Sequence, residues 1–189
     1  ETPAFYASSG MQSVMPMDVM ANYITERVGQ NAPLSMHERN EINKADNGHS
    51  YRRLEYQSAQ LFIEEPEQNL YPESQKLVVM SLVRSLKKAM ATGSEQSMTV
   101  VTTHSPYVMS VVNVLLSAAI VEEKGLEQNV VSKDCILPSK SITGYYINDG
   151  GVFQNIMDSE IPMLSGNDLD GVSEWVDESI SKLNEILFA

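Results

Sequence analysis

Leu61-Phe62-Ile63-Glu64-Glu65-Pro66 is an apolar run that stops at two carboxylates and a proline. Ala59 to Ile63 reads as a buried strand, and Glu64-Glu65-Pro66 as the turn that ends it. From Glu73 to Met90 the period changes. Apolar residues at Val79, Leu82, Val83, Leu86, Ala89 and Met90 make one face of a helix, with Arg84, Lys87 and Lys88 opposite and Gly93 as its terminator. Met98 to Thr102 is a second short β-type run. Ser105-Pro106 then supplies an N-cap and a first-turn proline for a helix to about Val121. Strand, helix, strand, helix predicts an α/β fold built on a parallel sheet with crossover helices.

Outward from that centre the pattern is simpler. Ala7-Ser8-Ser9-Gly10 precedes apolar residues at Met11, Val14, Met15, Tyr23, Ile24 and Val28, which predicts a helix beginning near Gly10 and kinked or broken early at Pro16. Residues 30–58 are polar and aperiodic and read as a loop, an arm or an insertion. Towards the other end, Gly144 to Ile147 is a strand, Asp149-Gly150-Gly151 a tight turn and Val152-Phe153 the return, which predicts a hairpin. Val172, Trp175, Val176, Ile180, Leu183, Ile186 and Leu187 mark a C-terminal amphipathic helix, so residues 144–189 read as a small β-hairpin plus helix.

Composition bounds the function. With 189 residues, 42% of them hydrophobic, the chain can build one domain with a real core. Thirteen basic against 25 acidic residues give a formal net charge of -12, which repels a nucleic-acid backbone at long range. The single cysteine, Cys135, excludes an internal disulfide, favours a reducing compartment and reads as a small buried residue. The longest apolar stretch, Val108 to Val121, is interrupted by Ser110, Asn113 and Ser117. No membrane span is expected, and the location expected is cytoplasmic. Tyr145-Tyr146 and Trp175 are expected in the core or at an interface. Asp168 and Asp170 read as an acidic cluster at a helix start.

Three segments carry chemistry. Glu64 and Glu65 end a buried strand, where open α/β sheets bind ligands, and neighbours on a strand point to opposite sides. One carboxylate can then serve a metal while the other serves an attacking water, the two tasks of phosphoryl transfer. Taken alone, the pair reads equally as two solvated acids. In Val100-Val101-Thr102-Thr103-His104-Ser105-Pro106, His104 stands between a strand end and a helix N-terminus, where it can meet a phosphate or simply pack in a turn. Ser8-Ser9-Gly10-Met11-Gln12 puts small hydroxyl residues and a glycine at a helix start. Such a start can hold phosphate or be an ordinary N-terminus.

In this order the three segments resemble ABC-type P-loop ATPases of the repair and defence kind, the RecF and SMC relatives and the OLD (overcoming lysogenization defect) group. Ser8 to Gln12 is similar to the signature segment, and Leu61 to Glu65 to the Walker B strand. Pro66-Glu67-Gln68-Asn69-Leu70-Tyr71-Pro72 resembles the D-loop, and Thr103-His104-Ser105-Pro106 the switch-histidine segment. The resemblance covers Ala7 to Val121. It implies the C-terminal half of an ABC-type ATPase domain using ATP and Mg²⁺, in a homodimer of heads that clamps ATP, with DNA or a protein as a further partner. It gives Glu64 the metal role (Asp is commoner there), Glu65 the role of general base and His104 contact with the γ-phosphate. Ser8, Ser9, Gly10 and Gln12 would meet the nucleotide of the partner subunit, and Asn69 would lie at the dimer contact.

The resemblance breaks at the phosphate cradle. The family's Walker A loop, G-x-x-x-x-G-K-[ST], and its Q-loop glutamine precede the signature, which here opens the chain. Gly166 and Gly171 have the glycine spacing, but Val172-Ser173 follows in place of Lys-Ser or Lys-Thr. The expectation is a fragment of a longer ATPase, inactive alone. The alternative is a non-hydrolysing ABC-like regulatory or binding module completed by a partner chain.

Overall fold

The computed structural model describes residues 8–37, 40, 55–92, 96–158, 162–165 and 179–184. The chain divides into two units, Glu1–Thr102 and Thr103–Ala189. Within them it is a mixed α/β structure with a small parallel sheet.

In the first unit, helix α1 (Ser9–Thr25) begins where the sequence predicts. Ser8 is extended and caps it, its Oγ accepting the Met11 N–H at 3.4 Å. The expected early break does not occur, and α1 runs on through Pro16. Proline offers no N–H to the carbonyl four residues back, and the residue there, Gln12, is exposed. Residues 30–58 lie largely outside the described residues. The ends of that segment meet: Asn31 bridges Glu55, and the Gly29 N–H donates to the Tyr56 carbonyl at 2.8 Å.

Strands β1 (Gln60–Glu64) and β2 (Met98–Thr102) pair in parallel, from Gln60 opposite Met98 to Glu64 opposite Thr102. Helix α2 (Pro72–Ala91) is the crossover between them. Alternation turns Leu61, Ile63 and Val101 towards Ala21 of α1 and Val78 and Leu82 of α2, which form the core. The same alternation turns Phe62, Met98 and Val100 the other way, and Phe62 is 72% exposed. Helices α1 and α2 are tied by two polar pairs. Ser81 donates to Asp18, and one turn later in both helices Ser85 donates to Asn22 at 3.0 Å. The equal spacing of the two pairs means that the helices run side by side in the same direction. Gly93, the expected terminator of α2, lies outside the described residues.

In the second unit, α3 (Pro106–Glu123) starts at the predicted Ser-Pro, with the Ser105 hydroxyl accepting from the N–H groups of Tyr107 and Val108. Two 3₁₀ turns follow, Lys133–Cys135 and Ser139–Ser141, and Cys135 is fully buried as expected. The hairpin is present as antiparallel β3 (Tyr145–Ile147) and β4 (Phe153–Asn155), its turn held by Asn148 Oδ1, which accepts from Gly150 and Val152. Tyr145 is exposed rather than in the core, in edge contact with Phe153. Asn113 acts as a strand partner from the side of α3. Its amide donates to the Leu164 carbonyl at 3.0 Å and accepts from the Leu164 N–H at 2.7 Å.

One expectation about α3 needs correction. At 18 residues and a mean hydropathy of 1.3, it is long and apolar enough by composition to cross a membrane, despite Ser110, Asn113 and Ser117. Among the described residues it is the one helix that is so. The core helix of a soluble protein passes the same test of length and composition. Of the predicted C-terminal helix, residues 179–184 are helical. The rest of it, with Trp175, Asp168 and Asp170, lies outside the described residues.

Candidate functional site

The two carboxylates stand at the C-terminal end of β1. Glu64 is the last residue of the strand, opposite Thr102, and is exposed. Glu65 keeps one more ladder bond, its N–H donating to the Thr102 carbonyl at 2.9 Å. There the backbone leaves the extended region, and Glu65 has φ 44. A side-chain-bearing residue in that left-handed region stores strain on the order of 1–3 kcal/mol, and it persists only where the surroundings over-determine it.

The loop after Glu65 provides that determination. The Gln68 N–H donates to the Glu65 carbonyl at 3.0 Å, and the Leu70 N–H to the Glu67 carbonyl at 3.0 Å, so two successive turns fill the connection to α2. Pro66 is buried beneath them. The Gln68 amide also reaches the Glu65 carboxylate at 3.5 Å, the long end of a hydrogen bond. Asn69, at the far end, is again left-handed with φ 62, a conformation that asparagine tolerates better than most residues. Beside this loop a cleft of about 440 Å³ opens between α1 and β1. Glu64, Glu65 and Gln68 line it together with the apolar Met17, Met20 and Ile24.

Gly10 joins the loop to the start of α1. A Cβ there would stand 2.7 Å from the Asn69 carbonyl oxygen and 2.8 Å from Leu70 Cδ2, both closer than real Cβ contacts come. Only glycine lets the helix start sit directly on the loop. Ser8, Ser9 and Gln12 remain exposed around it. The first bonds at this end run from Met11 and Gln12 back to Ser8. The N–H groups of Ser9 and Gly10, at the first two helical positions, have no acceptor within a helix, and no acidic residue occupies the first turn. This end of the chain is therefore chemically suited to an anion.

The first unit thus brings together Ser8, Ser9, Gly10 and Gln12 with Asn69, one loop away from Glu64 and Glu65. His104 belongs to the second unit, two residues past the end of β2. It is exposed, at the head of a turn in which Thr103 Oγ1 accepts the Ser105 N–H at 3.0 Å.

Among the described residues no three His, Cys, Asp or Glu side chains gather as a metal site. A single exposed carboxylate such as Glu64 is compatible with Mg²⁺, which would need only one or two protein carboxylates. The sequence contains no G-x-x-x-x-G-K-[ST] segment.

One residue of the site was not singled out in the sequence. Gln75, 8% exposed, lies on the buried face of α2 and donates from Nε2 to the Leu70 carbonyl at 3.0 Å. Its spacing from Val78, Val79 and Leu82 was the available signal: a glutamine in register with an apolar face.

Comparison with known proteins is confined to this region. No curated protein and no solved structure matches the chain. A family model described as "AAA domain, putative AbiEii toxin, Type IV TA system" matches residues 50–110. That stretch runs through β1, the Glu65–Leu70 loop, α2 and β2 to the first turn of α3, and it contains Glu64, Glu65, Asn69, Gln75 and His104. The match supports an AAA, P-loop ATPase-type domain, a kind that in general binds and hydrolyses nucleotide with Mg²⁺.

Proposed function

We propose that this chain is the C-terminal part of an ABC-type ATPase head that closes around ATP as a dimer of heads, in DNA repair, phage defence or a related process in the cytoplasm. The observation that carries the reading is the left-handed Glu65 at the end of β1, held by its bond to Thr102 and by the turn to Gln68, with Glu64 exposed beside it. Strain retained at a carboxylate next to a cleft is what a pre-set catalytic group looks like.

In this reading Glu64 would hold Mg²⁺, and Glu65 orients the attacking water and takes up its proton. His104 donates a hydrogen bond to the γ-phosphate. Ser8, Ser9, Gly10 and Gln12 offer hydroxyl, backbone and amide donors to the nucleotide of the opposite head, with Asn69 at the contact between heads. Bound Mg²⁺ would neutralise charge on the phosphates. The Walker A lysine comes from a further segment or chain. A parallel sheet is normally covered on both faces, and the bare face of Phe62, Met98 and Val100 is consistent with such a completing segment. DNA or a protein is the further partner, contacted outside this acidic chain.

The test is steady-state ATP hydrolysis by the protein that joins this chain to a P-loop, with Glu65→Gln as the variant. The variant is expected to lose turnover and keep ATP-dependent dimerisation. Turnover that persists refutes the reading. A completed protein that binds ATP and never hydrolyses it would instead be a regulatory module.

A further inference from the structure

We infer that Gln75 is the positioning residue that sets the conformation of Glu65, acting through the loop between them. The inference rests on the role proposed above for Glu65. The loop runs from Glu65 to Leu70 with a left-handed residue at its first position and another, Asn69, at its fifth. Two such residues in one short connection hold only if both ends are fixed. The first end is fixed by the sheet, through the Glu65 N–H on the Thr102 carbonyl.

The second end has no ladder. Leu70 is the pivot there: its side chain packs against the core of Ala21, Leu61, Val78 and Leu82, and its carbonyl receives the Gln75 amide at 3.0 Å. Gln75 is itself buried and belongs to a helix whose neighbouring Val78 and Val79 are core residues, so the donor is delivered from a rigid frame. Asn69, the residue before the pivot, presents its carbonyl to Gly10. Loss of the amide leaves the part-buried Leu70 carbonyl without that donor. Turning the loop out to water restores a partner, and that turn releases Asn69 and Glu65 into ordinary backbone conformations. The glutamine therefore acts on the carboxylate without touching substrate.

Gln75→Met keeps the length and bulk of the side chain and removes the donor. Ser85→Ala is the control. It removes a part-buried hydrogen bond of the same helix, to Asn22, and leaves the loop alone. The first readout is the ¹³Cα and ¹³Cβ shifts of Glu65 and Asn69 in the full chain, which report left-handed backbone and require no activity. Gln75→Met is expected to move both residues out of the left-handed range, and Ser85→Ala to move neither. The second is hydrolysis by the completed ATPase, where Gln75→Met is expected to lower kcat about tenfold with KM for ATP unchanged, as misplacement of a reacting group does. Unchanged shifts in Gln75→Met, or equal changes in the two variants, overturn the inference, and so do moved shifts with kcat intact. If the wild-type completed protein hydrolyses no ATP, the role of Glu65 falls, and the shifts alone decide whether Gln75 sets its backbone.

Discussion

Gly10 lies against Asn69 so closely that a Cβ would be 2.7 Å from the Asn69 carbonyl oxygen. The contact joins the start of α1 to the loop that carries Glu65, and it explains the glycine by packing, independently of any ligand. Gly10→Ala is therefore expected to destabilise the protein by about 1–3 kcal/mol, the usual range for overpacking. Ser9→Ala, one residue earlier and exposed, is expected to change stability by less than about 0.5 kcal/mol. Urea unfolding of the two variants checks the difference.

The strained carboxylate predicts a conflict between stability and function. Glu65→Gly relieves the φ of 44 and is expected to stabilise the chain by up to about 1 kcal/mol while removing the proposed base. Asn69→Val, which puts a β-branched side chain at φ 62, is expected to cost about 1–2 kcal/mol. Thermal unfolding of both variants reads the signs. Equal and small effects would mean that the loop has no fixed left-handed positions.

Acid sensitivity is expected in the second unit. Glu123 accepts the Ser139 N–H at 2.7 Å and the Ser139 hydroxyl at 2.8 Å. These bonds, the backbone one first, together with Lys140 hold its carboxyl below the usual value of 4.5 against a smaller opposing effect of desolvation. A lowered folded value means stability that is complete above 4.5 and is lost as pH falls through the folded value. The melting temperature of wild type should exceed that of Glu123→Gln at neutral pH, and the gap should close in acid. A gap constant with pH contradicts the assignment.

Much of the fold was legible because it rests on local signals. The period of α2, the apolar runs of β1 and β2, the Ser-Pro start of α3 and the Asp-Gly-Gly turn of the hairpin each fix an element from a few adjacent residues. What was not legible depends on contacts distant in sequence or on solvent. Pro16 reads as a kink or an early break, yet α1 continues through it. Tyr145 reads as core or interface, and it is not in the core. Asn113 reads as an interruption of an apolar helix, and it is the clamp on Leu164, 51 residues away. In the site, residue types and order pointed to Glu64, Glu65 and Asn69. The left-handed backbone of two of them, the seat of Gly10 and the amide of Gln75 exist only once α1, the loop and α2 are packed together.

The central claim is that the end of β1 carries a carboxylate set for nucleotide hydrolysis. The most direct measurement is the ATP turnover of wild type and Glu65→Gln in the protein that joins this chain to a P-loop, with dimer formation followed in the same samples. The account predicts a loss of turnover of about 100-fold or more, typical for a general base, with ATP-dependent dimers retained. Turnover within a few-fold of wild type would contradict it.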